Sequence, residues 1–218
     1  MKPSTRSTYS QVSCRVIQLW LGILLASGSY SAFAAGEAKM LPDQHAHHVQ
    51  EAKEAQKSNY KRSEHTYQVP EVKLVRQDGT EVALPKELDD GRAVFVNFMF
   101  TSCTSICPML SHTFQQVQAK LGEGINKVHL VSISIDPEQD TPERLLAYAK
   151  RFKAGSAWDF YTGSAKSVVA VQKALDAYRG DKMNHGQIIL MRSAPGKPWV
   201  RLDGFIDAAT VVSEYKNQ

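Results

Sequence analysis

Cysteine is scarce in this chain, which contains only three among its 218 residues. Cys14 stands near the start, whereas Cys103 and Cys107 lie together in the stretch TSCTSICP. A disulfide between the last two would close a loop of five residues, which constrains an unfolded chain very little, so structural stapling is a weak reason for the pair. Burial as two small apolar side chains is the plainest alternative. Electron transfer, attack on a substrate and metal binding are the chemical ones.

Acidic residues are absent from residues 1–34, in which three basic residues precede the apolar run VIQLWLGILLAS. The run leads into a small-x-small pattern that ends at Ala34. These features predict an export signal that is cleaved before Ala35. The uncharged segment Val16–Ala34 spans 19 residues, so an uncleaved membrane anchor is the alternative. We expect the protein in the periplasm of a Gram-negative bacterium, either soluble after cleavage or anchored to the inner membrane.

Charge of either sign is not in excess once the leader is removed. The leader holds three of the 26 basic residues and none of the 22 acidic ones, which leaves 23 basic against 22 acidic residues. This balance makes no case for a nucleic-acid partner. Cys14 leaves with the leader, so the mature chain keeps only Cys103 and Cys107, in a compartment that permits a disulfide.

Large apolar side chains are few in residues 35–66, which are rich in Lys, Glu, Gln and His. This composition predicts a flexible, solvated tail. Ordered structure is predicted to begin near Tyr67, and residues 67–218 are expected to form one domain. Within it, EVKLV and TEVAL alternate apolar and polar residues around QDG, which predicts a β-hairpin at the start of the domain.

Two nearly continuous apolar runs predict buried central strands, AVFVNFMF at 93–100 and VHLVSISI at 128–135. Apolar residues at helical spacing follow each run. Near the C-terminus, QIILM and WVRLDGF flank a turn and predict an antiparallel pair. The order of elements predicts an α/β sandwich. A thioredoxin-like fold has this plan, with its cysteines between the first central strand and the next helix, where this pair lies.

Pro108 predicts how the cysteine pair meets the helix. Proline is favoured as the first helical residue, and the residue before a proline avoids helical dihedral angles. Cys107 is therefore predicted to be the N-cap. Both thiols would then lie near the positive end of the helix, which favours the thiolate form needed for redox chemistry and for soft metals.

Two motifs in this order resemble those of the Sco/SenC family, thioredoxin-fold copper proteins of the mitochondrial inner membrane and the bacterial periplasm. The family pattern is F-x-F-T-x-C-x-x-x-C-P, then S-x-D-P-x-x-D-T-P, then a histidine before a late strand. The resemblance covers residues 67–218. The positions that match are Phe98, Phe100, Thr101, Cys103, Cys107 and Pro108 in the first motif, and Ser134, Asp136, Pro137, Asp140, Thr141 and Pro142 in the second.

The resemblance implies a copper site formed by Cys103, Cys107 and His185, the last in KMNHGQIIL just before the predicted strand QIILM. Thiolates suit Cu(I), and an added imidazole lets a site also hold Cu(II). The implied function is delivery of copper to the binuclear centre of cytochrome c oxidase, with apo subunit II or another periplasmic cuproprotein as the partner.

An enzyme-like alternative is a thiol–disulfide reductase that keeps the cysteines of a cuproprotein reduced. Cys103 would attack as the thiolate and Cys107 would resolve the mixed disulfide. A thiol peroxidase is a weaker alternative on the same fold, because Phe100 occupies the position of the proline that such enzymes need.

The sequence departs from the family pattern on both sides of the predicted site. Thr104–Ile106 separate the cysteines where an acidic residue is usual, and Lys182–Asn184 precede His185 in place of Tyr-x-Val-Asp. Asp136 and Asp140 are predicted to cap the strand end and the next helix, with docking of a partner as the alternative. The tail also holds the cluster His45, His47 and His48, which is either a second copper collector or an ordinary polar segment.

Overall fold

The computed structural model describes residues 60–218, which build an eight-stranded mixed sheet in the order β1-β8-β7-β4-β5-β6-β2-β3. The strands are β1 Tyr60–His65, β2 Lys73–Arg76, β3 Glu81–Ala83, β4 Ala93–Met99, β5 Val128–Ser134, β6 Trp158–Thr162, β7 Ile188–Arg192 and β8 Trp199–Gly204. The helices are α1 Leu84–Leu88, α2 Ile106–Leu121, α3 Pro142–Arg151, α4 Ala165–Ala174 and α5 Ala208–Lys216, with 3-10 turns at Gly122–Lys127 and Lys182–Asn184.

The centre of the sheet is the parallel pair β4 and β5, whose residues are all buried. Both strands are apolar on both faces because helices cover both sides of the sheet. Helices α2, α3 and α5 pack on one face, and α1 and α4 pack on the other. The predicted α/β sandwich, with its buried central strands, is confirmed.

The predicted hairpin and the predicted start of α3 are also present. Strands β2 and β3 pair antiparallel, with Leu74 opposite Val82. Helix α3 begins at Pro142, and its cap Thr141 accepts a hydrogen bond from the Arg144 N–H, as Thr-Pro-Glu predicted. Strands β7 and β8 pair antiparallel, with Leu190 opposite Arg201.

Tyr60–His65 form strand β1, although the sequence assigned them to the flexible tail. The strand pairs antiparallel with β8, from Tyr60 opposite Gly204 to His65 opposite Trp199. Its composition is polar because it lies at the sheet edge, where pairing with a neighbour decides the conformation more than propensity does. Glu214 on α5 fixes it further, since it accepts hydrogen bonds from the Tyr60 hydroxyl and Arg62 Nε.

The predicted cap of α2 is wrong. The helix begins at Ile106 with Ser105 as its N-cap, so Cys107 and Pro108 lie within the first turn. The first N–H groups of any helix lack an intrahelical partner, so a proline as the third helical residue loses no hydrogen bond. Cys107 is consequently a buried residue of the helix rather than the residue that ends the loop.

Some predictions concern residues outside the described range. The leader at 1–34, its cleavage or retention as an anchor, and the tail cluster of His45, His47 and His48 all lie there. Among residues 60–218, no helix has both the length and the apolar character that crossing a membrane requires.

Candidate metal centre

The ends of strands β4 and β5 and the start of strand β7 lie together at one end of the sheet. The segments next to them carry the predicted ligands. Strands β4 and β5 run parallel, so Met99 and Ser134 end side by side. Strand β7 runs antiparallel to β4, with Ile189 opposite Asn97, so the start of β7 lies beside the end of β4. His185 precedes β7, and the cysteine loop (residues 100–105) follows β4. Cys107 and His185, which are 78 positions apart in the sequence, lie close together for this reason.

The side chains of Cys103, Cys107 and His185 converge on one point. Their ligand atoms all lie within 4.8 Å of one another, and Cys107 Sγ is 3.4 Å from His185 Nε2. Both cysteines are free thiols. Two sulfurs and one imidazole nitrogen at this spacing fit one soft metal ion. A structural zinc site uses four protein ligands, whereas the described residues place three here.

The two thiols have opposite tendencies to ionise. Burial opposes ionisation of Cys103, but hydrogen bonds to its sulfur from the Cys107 N–H and thiol and from the N–H groups of Ser105 and Ile106 outweigh it and lower its pKa. Burial raises the pKa of Cys107 well above its usual range, and the hydrogen bond that its thiol gives to Cys103 adds to this. Cys103 is therefore the more acidic thiol of the pair, whereas the prediction that both thiols favour the thiolate form is wrong for Cys107, because its burial outweighs the helix start.

His185 is held as a neutral imidazole. Its side chain is buried, and this burial lowers its pKa below the usual value. A neutral ring offers a lone pair to a metal at neutral pH. In the part of the chain that the structure describes, Nδ1 has no hydrogen-bond partner, so only Nε2 is engaged, by the Cys107 sulfur. The donor set and the neutral imidazole fit a metal ion, and the Cys107 thiol would release its proton on binding it.

Asp140 has a different role from the predicted helix cap. Thr141 caps α3, and the fully buried Asp140 carboxylate instead accepts hydrogen bonds from the N–H and hydroxyl of Thr101 and from the Ser134 hydroxyl. It therefore ties the cysteine loop to the end of β5. The sequence shows an acidic residue after a predicted buried strand. It does not show that Thr101, 39 positions away, is the hydrogen-bond partner of that residue.

Asp136 also has a role beyond the predicted cap at the end of β5. Its carboxylate lies 2.6 Å from the ammonium of Lys182, in the 3-10 turn just before His185. Phe100 packs against the same turn, and its ring meets the His185 imidazole edge to face, at 5.5 Å between centroids. Neither contact could be derived from the sequence pattern, because the turn at Lys182–Asn184 departs from the motif that identified the site.

The other histidines of the described chain stand apart from this centre. His129 is buried on β5, where Nδ1 contacts the Glu87 carbonyl and Nε2 contacts Asp159. His112 lies on α2 beside Gln115, and its ring packs against Phe152. His65 packs on Tyr67 at the sheet edge. All three have structural or surface partners.

The SCO1/SenC family model matches residues 60–217 of this chain. Among curated proteins, the chain is 34% identical over 104 residues to the SCO1 protein homolog of Bacillus subtilis, a match that covers 47% of this chain and 53% of the relative. The chain therefore matches only about half the length of this curated relative. The start of the family match at Tyr60 agrees with the start of β1.

Solved structures give the same result for the fold. BsSco, described as a member of the Sco family of cytochrome c oxidase assembly proteins with a disulfide switch, aligns with a TM-score of 0.60 at 28% identity, over 71% of this chain and 95% of that one. ScoI of Arabidopsis thaliana, solved with copper bound, aligns with a TM-score of 0.55 at 27% identity, over 67% of this chain and 96% of that one. The predicted thioredoxin-like fold is confirmed.

Proposed function

This chain belongs to the SCO1/SenC family, and we propose on that premise that it binds copper through Cys103, Cys107 and His185 and delivers it to an apo cuproprotein. The observation that carries the proposal is the convergence of two sulfurs and one imidazole nitrogen within 4.8 Å. The copper-bound ScoI structure, which has the same fold, supports copper as the metal. The proposed place of action is the periplasm, and the proposed client is the binuclear copper centre of cytochrome c oxidase subunit II.

The unequal exposure of the two cysteines suits transfer by ligand exchange. Cys103 is 9% exposed and is flanked by the exposed Ser102 and Thr104, whereas Cys107 is fully buried. An incoming ligand from a client would reach the metal beside Cys103 first. Cys107 and His185 would hold the ion until enough client ligands had replaced them.

A copper titration followed by transfer tests this function. The reduced mature protein is expected to bind one Cu(I) per chain, because the site holds one set of three ligands. Mixed with the apo copper domain of an oxidase subunit II, it should pass that copper on, as measured by the copper content of the separated proteins. The matched control is the same protein with its cysteines alkylated. A chain that keeps no Cu(I) against a chelator, or never releases it to the client, contradicts the proposal.

A second candidate function, thiol–disulfide reduction, is favoured by the lowered pKa of Cys103 beside the raised pKa of Cys107. The Cys103 thiolate would attack a client disulfide, form a mixed disulfide and release one client thiol. Cys107 would then attack the Cys103 sulfur and release the second client thiol, leaving Cys103 and Cys107 oxidised by two electrons. The client would leave with two reduced cysteines, ready to bind copper.

The pH dependence of disulfide exchange checks this second role. The reaction with a small disulfide should reach half its maximal rate below the ordinary thiol pKa, because the lowered pKa of Cys103 provides thiolate at lower pH. Cys107→Ser should accumulate the mixed disulfide, detected by mass, and Cys103→Ser should form none. A midpoint at or above the ordinary thiol value, or unchanged reaction of Cys103→Ser, would contradict the assignment.

A further inference from the structure

An ion pair joins the turn that carries His185 to the loop after β5. Lys182 Nζ lies 2.6 Å from Asp136 Oδ2, and the side chain of Asp136 is 9% exposed whereas that of Lys182 is 39% exposed. Exposed ion pairs contribute little to stability, but removing one partner from a buried pair leaves an uncompensated charge. The pair therefore favours the position of the Lys182–Asn184 turn in which Lys182 reaches the carboxylate.

Lys182 also lies over the aromatic ring that packs against the histidine. Its ammonium is 5.5 Å from the centre of the Phe100 ring. That ring and the His185 imidazole pack edge to face. Lys182 thus contacts one residue of the cysteine loop and one residue after β5, and both contacts hold the turn that ends at His185.

Hydrogen bonds continue from Asp136 to the cysteine loop. The Asp136 N–H donates to Ser134 Oγ at 3.0 Å, and the Ser134 hydroxyl donates to Asp140 Oδ2 at 2.6 Å. Asp140 accepts from the Thr101 N–H at 3.0 Å. A contiguous series of contacts therefore links the turn before His185 to the loop that carries Cys103.

We propose that the Lys182–Asp136 pair is a latch that positions His185 against the two thiols, and only its metal readouts rest on the proposed copper function. Metal-binding histidines are usually oriented by a hydrogen bond from their second nitrogen. Among the described residues no hydrogen bond at His185 Nδ1 orients the ring, so its orientation depends on its turn and on its contacts with Phe100 and Cys107. Lys182 and Asp136 are positioning residues that supply this orientation.

The latch acts mainly on Cu(II). Two thiolates hold Cu(I) without help, whereas Cu(II) depends more on the imidazole. Lys182→Met keeps most of the length of the side chain and removes the charge, and it is expected to weaken Cu(II) binding on the order of 10-fold. Cu(I) affinity should change far less. Lys182→Arg keeps the charge and should keep the wild-type Cu(II) affinity and absorption spectrum. The control is Lys197→Met, at an exposed position in the β7–β8 turn.

Asp136→Asn distinguishes a latch that positions His185 from a direct electrostatic effect of the two charges on the metal ion. By charge alone, loss of Lys182 would strengthen cation binding and loss of Asp136 would weaken it. A latch predicts that both variants weaken Cu(II), and that the double variant loses no more than either single one. Opposite signs, or losses that add, overturn the latch.

A measurement without metal keeps this test separate from the copper function. In the reduced, metal-free protein, the amides of Asn184 to Gly186 should be ordered in backbone relaxation measurements, and they should become mobile in Lys182→Met. If the wild-type chain binds no copper but shows this difference, the latch stands and the proposed function fails. If the amides are equally ordered in both proteins, the latch is wrong, whatever the copper titration shows.

Discussion

Replacing Cys103 or Cys107 with alanine is expected to abolish Cu(I) binding, the largest functional effect that the structure predicts. Each change removes one of two sulfurs and leaves a single thiolate beside an imidazole, a far weaker set for a soft ion. The predicted mature chain has no other cysteine to replace the lost ligand. The measurement is the amount of Cu(I) that the reduced protein binds in competition with a Cu(I) chelator. Both variants should bind none.

Two further variants make this result specific. Thr104→Ala lies between the cysteines at an exposed position and should leave both affinities unchanged. His185→Ala keeps both sulfurs, so it should retain Cu(I) and lose affinity for Cu(II) more strongly. Undiminished copper in either cysteine variant, with the fold intact by circular dichroism, would exclude the metal centre. Equal effects of His185→Ala on both oxidation states would exclude the histidine as a Cu(II) ligand.

The central fold was predictable because its signals are local. Strands β4 and β5 are nearly continuous apolar runs, which only burial on both faces explains. Thr141 and Pro142 carry a complete helix start within two residues. Strand β1 was missed because its side chains are polar, and its conformation comes from pairing with β8, about 140 positions later in the chain.

The convergence of the three candidate ligands was predictable from the sequence, but the contacts that hold them in place were not. The motif order identified Cys103, Cys107 and His185, and the antiparallel placement of β7 beside β4 explains why they meet. The contacts that hold the ligands join segments far apart in sequence, such as Lys182 and Asp136, 46 positions apart. No periodicity or spacing encodes such pairs. The cap of α2 was misplaced for a related reason, since Pro108 is compatible with more than one position in a first turn.

Asp140→Ala is expected to destabilise the domain by about 3 kcal/mol, because three donors that its buried carboxylate satisfies would lose their acceptor. Those donors are the N–H and hydroxyl of Thr101 and the hydroxyl of Ser134, and both Asp140 and Ser134 are fully buried. The hydroxyls can rotate toward other acceptors, but the Thr101 N–H is fixed by the backbone. For a domain of this size, the loss corresponds to a fall in Tm of about 6–12 °C.

Thermal and denaturant unfolding of the metal-free, reduced protein measure this loss without any contribution from copper. Asp140→Asn keeps one oxygen that can accept from the Thr101 N–H, so its loss should be smaller than that of Asp140→Ala. Glu138→Ala, exposed in the same loop, is the matched control and should change the free energy of unfolding little. If Asp140→Ala were as stable as Glu138→Ala, the hydrogen bonds of Asp140 between β5 and the cysteine loop would contribute nothing to the free energy of unfolding. The cysteine loop would then be held by its other contacts, such as the packing of Phe100 against His185.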